Sequence, residues 1–263
     1  MNRKALFFDV DGTLFSETRR MVPESAKRAL RLTREKGNLV FINSGRVFSN
    51  LGPIMELVEA DGYLCGCGTY IQMAGKEVYS RRIPHDRGKA VKEAIIRFGF
   101  DGVLEGKESC YFQKGDSRIP KVRELKAHMT EGGHCSPYGW DEDCYEFDKF
   151  CVMADGLSDK KGLFDFLKED FQVIDRGDDF YECVPLGHSK ATAIEMVLER
   201  SGIGLDDAWV FGDSSNDLDM FLCVRNSVLM GKHDKVLEPY AAFVTRDVEE
   251  DGIEYAMKNL GLI

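Results

Sequence analysis

Ala5-Leu6-Phe7-Phe8-Asp9-Val10-Asp11-Gly12-Thr13 is the stretch whose reading decides the fold. Ala5 to Phe8 is apolar and aromatic, and such a run between polar and Gly residues suits a strand buried on both faces. It ends in two carboxylates, Asp9 and Asp11, followed by Gly12. Residues two apart on a strand point the same way. Like charges held that close repel unless a cation sits between them or one carries a proton. The carboxyl end of a parallel strand is also where open α/β sheets place their ligands. Two readings stay open at this point: a Mg2+-dependent carboxylate site, or an Asp-Gly turn closing a strand with Asp9 as an ordinary cap.

Working outward, the next elements repeat the pattern. Pro23-Glu24 opens a helix with Ala26, Ala29, Leu30 and Thr33 at its inner spacing, and Gly37 stops it. A second apolar strand, Asn38 to Ile42, ends in Asn43-Ser44-Gly45-Arg46. Strand–helix–strand in this order implies a parallel sheet, with a hydroxyl and a Gly at the same end as Asp9. A helix is expected around Ser49 to Glu59 and a short strand near Gly62 to Cys65, running into Gly66-Cys67-Gly68-Thr69. A hairpin around Ala74-Gly75 follows.

From about Arg82 to Pro185 the texture changes to helical and strand-like stretches separated by Gly-rich loops. It reads as a second α+β domain inserted into the first, with crossings near Ile83-Pro84 and Pro185-Leu186. The acidic loop Asp141 to Glu146 reads as a solvated face, and no catalytic cluster is visible in this part. His85, His128, His134 and His188 read as surface or loop residues.

The first texture then resumes. Ser189 is an N-cap and Gly202 a stop for a helix that starts with Lys190. A cation at a helix N-terminus opposes the helix dipole, so Lys190 makes better sense facing an anion than as a solvated side chain. Asp207 to Phe211 is another buried strand. It runs into Gly212-Asp213-Ser214-Ser215-Asn216-Asp217, where Asp213, Asn216 and Asp217 could supply or hold hard oxygen ligands for Mg2+. Short strands at Ser227 to Met230 and Ala242 to Val244, and a terminal helix from Val248 to Leu260, complete the reading.

Composition narrows the function. The chain has 263 residues, 35 basic and 45 acidic, for a net charge of −10. That balance argues against non-specific binding to nucleic acid and to anionic membranes. No apolar run reaches the roughly 18 residues of a membrane helix, and Asn2-Arg3-Lys4 leads directly into the first strand, which implies a cytoplasmic protein. The eight cysteines form no Cys-x-x-Cys pair, and they read as reduced thiols, mostly core. Oligomeric state is left open between monomer and homodimer.

Four strand-end motifs now stand in order: Asp9-Val-Asp11-Gly-Thr, Ser44-Gly45-Arg46, Lys190, and Gly212-Asp213-Ser-Ser-Asn216-Asp217. The set resembles the haloacid dehalogenase-like phosphohydrolases, and within them the Cof-like branch with a large inserted cap. The resemblance implies an α/β fold: a Rossmann-like, doubly wound parallel-sheet core at 1–81 plus 186–263, with an α+β cap at 82–185 that selects the substrate. It further implies a Mg2+-dependent phosphatase of small phosphorylated metabolites. Asp9 would be the nucleophile that becomes an aspartyl-phosphate, and Asp11 the acid and base. Ser44 and the Gly45 backbone would bind phosphoryl oxygens, Lys190 would neutralise the phosphate and Asp9, and Asn216 would orient the phosphate or Lys190. Asp213 would hold the metal with Asp9 and the Asp11 carbonyl, and Asp217 would help hold the metal or Lys190.

Phosphoryl transfer asks mostly for position and charge, which this set supplies. Asp11 is expected to begin protonated, favoured by crowded negative charge. Two departures from the branch stand out: Cys67-Gly68 where Asn-Gly is common, and Ser44 where Thr is frequent. Two alternatives remain: a sugar phosphomutase of the same class, and a receiver-like phospho-aspartate signalling domain, which would need only about one small domain.

Overall fold

A computed structural model describes residues 2–142 and 144–263. The chain opens with β1 (Ala5–Phe8), α1 (Glu24–Glu35), β2 (Leu39–Asn43), α2 (Gly52–Leu57), β3 (Gly62–Cys65), β4 (Tyr70–Met73) and β5 (Lys76–Ser80). It continues through α3 (His85–Arg97), β6 (Asp101–Glu105), β7 (Cys110–Phe112), α4 (Pro120–Glu131), β8 (Lys149–Met153), α5 (Lys160–Leu167), β9 (Phe171–Asp175) and β10 (Phe180–Pro185). It closes with α6 (Lys190–Ser201), β11 (Ala208–Gly212), α7 (Leu218–Cys223), β12 (Asn226–Leu229), β13 (Phe243–Val244) and α8 (Gly252–Asn259). These elements form two compact units: Met1–Arg46, Leu51–Tyr79 and Ser189–Ile263 in one, Val47–Asn50 and Ser80–His188 in the other.

The first unit is a mixed, mostly parallel sheet in the order β13-β12-β11-β1-β2-β3-β4-β5. β1 lies centrally and pairs in parallel with both β11 and β2. It is buried on both faces because its aromatic residues alternate between them. Phe7 stacks on Phe41 of β2 at 5.1 Å, and Phe8 stacks on Phe211 of β11 at 4.4 Å. Each such ring contributes roughly 1.5–3 kcal/mol by leaving water. On the Phe7 side, α6 packs Ala193, Ile194, Val197 and Leu198 into the core. Because the chain leaves β1 on one side to reach β2 and returns on the other as β11, a crevice forms beyond the carboxyl ends of these strands.

The helix expected at Ser49 to Glu59 is interrupted: a 3-10 turn covers Phe48–Asn50 and α2 starts at Gly52. Pro53 has no N–H to donate and suits only a first helical turn, so the helix restarts there. The terminal helix is shortened similarly, with a 3-10 turn at Val248–Glu250 before α8.

The second unit is an antiparallel sheet ordered β7-β6-β8-β10-β9. It runs slightly wider than the 82–185 of the sequence reading because the crossing segments pair with it. Ile83 N donates to Phe147 O at 3.0 Å and Leu186 N to Asp170 O at 2.9 Å. Residues 47–50 join it as well, with Ser49 Oγ donating to Gly106 O at 2.8 Å. One face of the sheet packs Leu104, Phe150, Val152 and Tyr181 against α3 and α5. The other holds Val103 and Met153 under α4, through Ile119 and Val122. That face also buries a charged cluster. Lys149 Nζ donates to Glu105 at 3.0 Å and to Glu182, which Arg176 also binds. Burial pushes Glu182 up, but Lys149 and Arg176 more than offset it and hold its carboxyl near 2.

Of the acidic loop, Asp143 lies outside the described residues. Its neighbours Asp141, Cys144 and Glu146 are exposed, as expected of a solvated face; Glu142 pairs with Lys114 at 2.9 Å and Glu146 with Arg82, while the half-buried Tyr145 stacks on Tyr111 at 3.8 Å. The cysteines among the described residues are free, and Cys65, Cys67, Cys110, Cys151 and Cys183 are buried. Among the described residues no helix is long and apolar enough to cross a membrane.

Candidate active site

Four chain segments meet at the strand ends of the first unit. Asp9 N donates to Phe211 O at 3.0 Å, so the ladder carries Asp9 one residue past β1. The chain then turns tightly, with Phe15 N donating to Val10 O at 2.7 Å. Gly12 sits in that turn at φ +81°, and a Cβ there would lie 2.4 Å from Asp213 Oδ2. Only Gly allows both the backbone conformation and the approach of Asp213. Thr13, fully buried, donates its hydroxyl to Asp213 Oδ1 at 2.7 Å.

β2 delivers Asn43 and Ser44 beside Asp9, because Phe8 is in register with Ile42. Ser44 Oγ accepts from Arg46 N at 3.1 Å across Gly45, and Ser44 O accepts from Cys67 N at 3.2 Å. Cys67 adopts left-handed geometry (φ 55°). Gly68 beyond it lies so close to α6 that a Cβ would stand 2.5 Å from Ser189 O.

α6 begins as its sequence dictates. Ser189 and Thr192 form a reciprocal capping box, and Gly202 ends the helix at φ 65°. Lys190 is therefore held in the first turn, where its ammonium turns inward and is 1% exposed. Lys190 Nζ lies 2.6 Å from Asp9 Oδ1, 2.5 Å from Asp217 Oδ1 and 3.5 Å from Asn216 Oδ1. The other Asp217 oxygen accepts from the backbone N–H of Asp213 at 3.0 Å and of Ser214 at 3.2 Å. A Cβ on Gly212 would fall 2.6 Å from that oxygen, so this glycine too is set by a carboxylate packed against it.

The electrostatics follow from crowding. Burial pushes the Asp9 carboxyl well above the usual range, and Asp217 adds to this while Lys190 opposes it. Burial likewise raises Asp213 to about 7, with the Thr13 hydroxyl pulling the other way. Burial also disfavours the charge on Lys190, but Asp217 and Asp9 override it and keep the ammonium protonated. Three carboxylates thus share one ammonium. Asp9, Asp213 and Asp217 each offer an oxygen within 4.8 Å of the others, the one such group among the described residues. An all-oxygen donor set with surplus negative charge fits Mg2+. Asp217 is already engaged by Lys190 and two N–H groups, which leaves Asp9 and Asp213 as the carboxylates best free to bind a cation.

Asp11 stands apart from this group. Its carboxylate pairs with Arg46, which donates from Nε at 2.8 Å and Nη2 at 2.5 Å. Asp11 therefore faces a guanidinium, whereas Asp9, Asp213 and Asp217 crowd one another.

Several residues here were not singled out from the sequence. Asn43, fully buried, donates to Lys190 O at 3.0 Å, and Asp219 accepts from Ala191 N at 3.0 Å, so the start of α6 is anchored from two elements. His233 lines a cavity of about 170 Å3 with Gly12, Glu17 and Asp213. An Asn in place of an apolar residue at the end of β2 was the one legible hint. Asp219 and His233 acquire their positions only through the fold.

Comparison with known proteins agrees with the geometry. The sequence model for haloacid dehalogenase-like hydrolases matches residues 6–257. The Bacillus subtilis (strain 168) protein "Putative phosphatase YkrA" is 30% identical over 100% of both chains. The "HMP-PP phosphatase" of Serratia proteamaculans is 27% identical over 85% of this chain and 82% of its own. Among solved structures, the HAD subclass IIB sugar phosphatase BT4131 superposes with a TM-score of 0.81 at 25% identity, covering 99% of this chain and 100% of that one.

Proposed function

The chain belongs to the haloacid dehalogenase-like hydrolases and is a phosphatase, and from that premise we propose a Mg2+-dependent phosphomonoesterase of small phosphorylated metabolites that works through an aspartyl-phosphate. The observation that carries this reading is the buried Lys190 ammonium spanning Asp9 and Asp217, with Asp213 beside them. A dianionic phosphate approaches a carboxylate nucleophile only where cations cancel the repulsion. Lys190 supplies one such cation and fixes Asp9 by its Oδ1.

Asp9 attacks the phosphorus as the bond to the leaving oxygen breaks, and Asp11 protonates that oxygen. Asp11 then takes a proton from water, which attacks the phosphoryl group and frees Asp9. The Ser44 hydroxyl and the Gly45 backbone hold phosphoryl oxygens, and Asn216 steadies Lys190. Mg2+ would be held by Asp9, Asp213 and the Asp11 carbonyl, with Asp217 framing the loop. Once bound, it neutralises phosphoryl charge.

One relative is named for HMP-PP and one solved neighbour for sugar phosphate, which supports a small phosphorylated metabolite as substrate. The inserted unit is the part we assign to substrate choice. Five buried free thiols suit a reducing compartment, and we infer a cytoplasmic enzyme.

A panel of phosphorylated sugars, nucleotides and cofactors, assayed for released phosphate with Mg2+ and with EDTA, tests the proposal. We expect release that EDTA stops and that Asp9→Asn abolishes. Isomerised sugar phosphate without released phosphate would replace hydrolysis by mutase chemistry, and turnover insensitive to EDTA would remove the metal.

A further inference from the structure

One peptide group of the first unit is held by side chains at both ends. The carbonyl of Lys190 accepts from Asn43 Nδ2 at 3.0 Å, and the N–H of the same peptide, on Ala191, donates to Asp219 Oδ2 at 3.0 Å. Asn43 reaches α6 because it shares a face of β2 with Phe41, which belongs to the apolar cluster holding Ala193 and Ile194. Asp219 comes from the first turn of α7, and Met220 beside it also meets the Asn43 amide, with Sδ 3.2 Å from Nδ2.

Folding alone gives little reason for Asn43. It is fully buried at the end of a strand whose other residues are apolar. Lys190 O can only accept, so the amide nitrogen faces it and the amide oxygen is left over. That Oδ1 has no hydrogen-bond partner among the described residues. A buried acceptor without a donor offsets what the Nδ2 contacts contribute. An apolar residue here would fold about as well, so the amide is explained by what it holds. Asp219 adds a second effect: a carboxylate at the N-terminus of α6 favours the dipole that Lys190 opposes.

We propose, on the phosphoryl-transfer reading above, that Asn43 and Asp219 are positioning residues: they clamp the Lys190–Ala191 peptide and so set where the Lys190 ammonium meets Asp9. Lys190 Nζ lies 2.6 Å from Asp9 Oδ1 and 2.5 Å from Asp217 Oδ1, so a shift of its backbone moves the nucleophile's only ammonium partner. A misplacement of about 1 Å can cost about a hundredfold in rate. The loss falls on kcat rather than on substrate binding. Ser44 is held independently, with its N–H donating to Leu64 O at 2.8 Å, and still meets the phosphate of the bound substrate.

Steady-state hydrolysis of p-nitrophenyl phosphate by the full-length protein with Mg2+, with melting followed by circular dichroism, tests the clamp. Asn43→Ala and Asp219→Ala should each lower kcat at least about tenfold, with KM within about threefold of wild type. Asn43→Ala should melt within about 3 °C of wild type, because the stranded oxygen leaves with the amide. Asp219→Asn keeps an oxygen for the Ala191 N–H and should recover at least about a third of wild-type kcat, a rescue that a general loss of stability would not show. The Asp219 pair, at a half-buried position, decides the matter even if Asn43→Ala folds poorly. Asp9→Asn is assayed beside them. Turnover that survives Asp9→Asn overturns the phosphoryl-transfer reading, and the clamp with it. With Asp9→Asn inactive, wild-type kcat in Asp219→Ala, or Asp219→Asn no more active than Asp219→Ala, overturns the positioning role alone.

Discussion

Replacing Asp213 with Asn should stabilise the metal-free protein while destroying its activity. Asp213 is buried among like charges and its carboxyl is raised from 3.8 to about 7. A group raised in this way favours folding when protonated. Its contribution is complete below the unfolded value, near 4, and is lost as pH rises through about 7. Each pH unit in that window is about 1.4 kcal/mol, so the gap bounds the cost of ionised Asp213 at about 4 kcal/mol. Asp9 titrates with it and the surroundings relax, so about half, roughly 2 kcal/mol, is the expected gain. Asn keeps an oxygen to accept from Thr13, which donates to Asp213 Oδ1 at 2.7 Å in the wild type, so no hydrogen bond is lost. In EDTA at pH 8 the variant should melt about 4–8 °C higher than wild type. At pH 5 the gain should shrink to about a third, because the unfolded wild type is already ionised there while the folded wild type still carries the proton. Added Mg2+ should raise the wild type by mass action and the variant little. A variant less stable than wild type at pH 8, or a gain of equal size at both pH values, refutes the argument that the site is electrostatically strained without its cation.

Asp9→Asn should leave the fold intact by circular dichroism and remove turnover of an aryl phosphate; more than a few per cent residual activity would acquit Asp9 as nucleophile. Lys190→Ala strands Asp9 and Asp217 without their shared cation, so urea denaturation should show a loss of about 3–5 kcal/mol together with lost turnover. An unchanged unfolding midpoint would contradict the burial of that ammonium. Gly12→Ala forces a Cβ towards Asp213 in a left-handed turn and should cost about 1–3 kcal/mol. It should also raise the Mg2+ concentration for half-maximal activity more than tenfold, and wild-type Mg2+ dependence in this variant would show that Asp213 has room to move.

The parts of this fold that a linear chain displays are those encoded by local pattern. β1, β2 and β11 are continuous apolar runs ending in polar residues, and their central, doubly buried placement follows from that. α6 is delimited by Ser189 and Gly202 in plain view, and Lys190 at its start is conspicuous because it opposes the dipole. Other features depend on partners far away in sequence. Gly52-Pro53 marks the break before α2, but nothing local indicates that residues 47–50 pack with the second unit. Lys149, Glu105 and Glu182 occupy alternating strand positions that look solvent-facing until three strands pair. Tyr145 sits in an acidic stretch that is solvated as its charge suggested, yet its own ring stacks on Tyr111, a partner the local sequence does not indicate. The choice of Arg46 as the partner of Asp11 needs two side chains from different strand ends, and spacing alone does not contain it.

The two ion-paired groups of the site differ in how readily they open, and the difference matches the labour assigned to them. Lys190, Asp9 and Asp217 are at most 4% exposed at their side chains. Separating such a pair costs about 3–5 kcal/mol, so the nucleophile keeps one position throughout the cycle. Arg46 and Asp11 are 33% and 35% exposed, and a pair at that depth contributes roughly 0.2–1 kcal/mol. Even at about 1 kcal/mol the bond is broken in roughly one molecule in six at any moment, so freeing Asp11 adds about 1 kcal/mol at most to the barrier of a step that needs it. In the proposed cycle the nucleophile needs a single line of attack. The acid–base group must face the leaving oxygen first and the incoming water afterwards. A rigid Asp9 and a loosely tethered Asp11 are what that sequence of tasks requires, and the depth at which each carboxylate is buried is what distinguishes them.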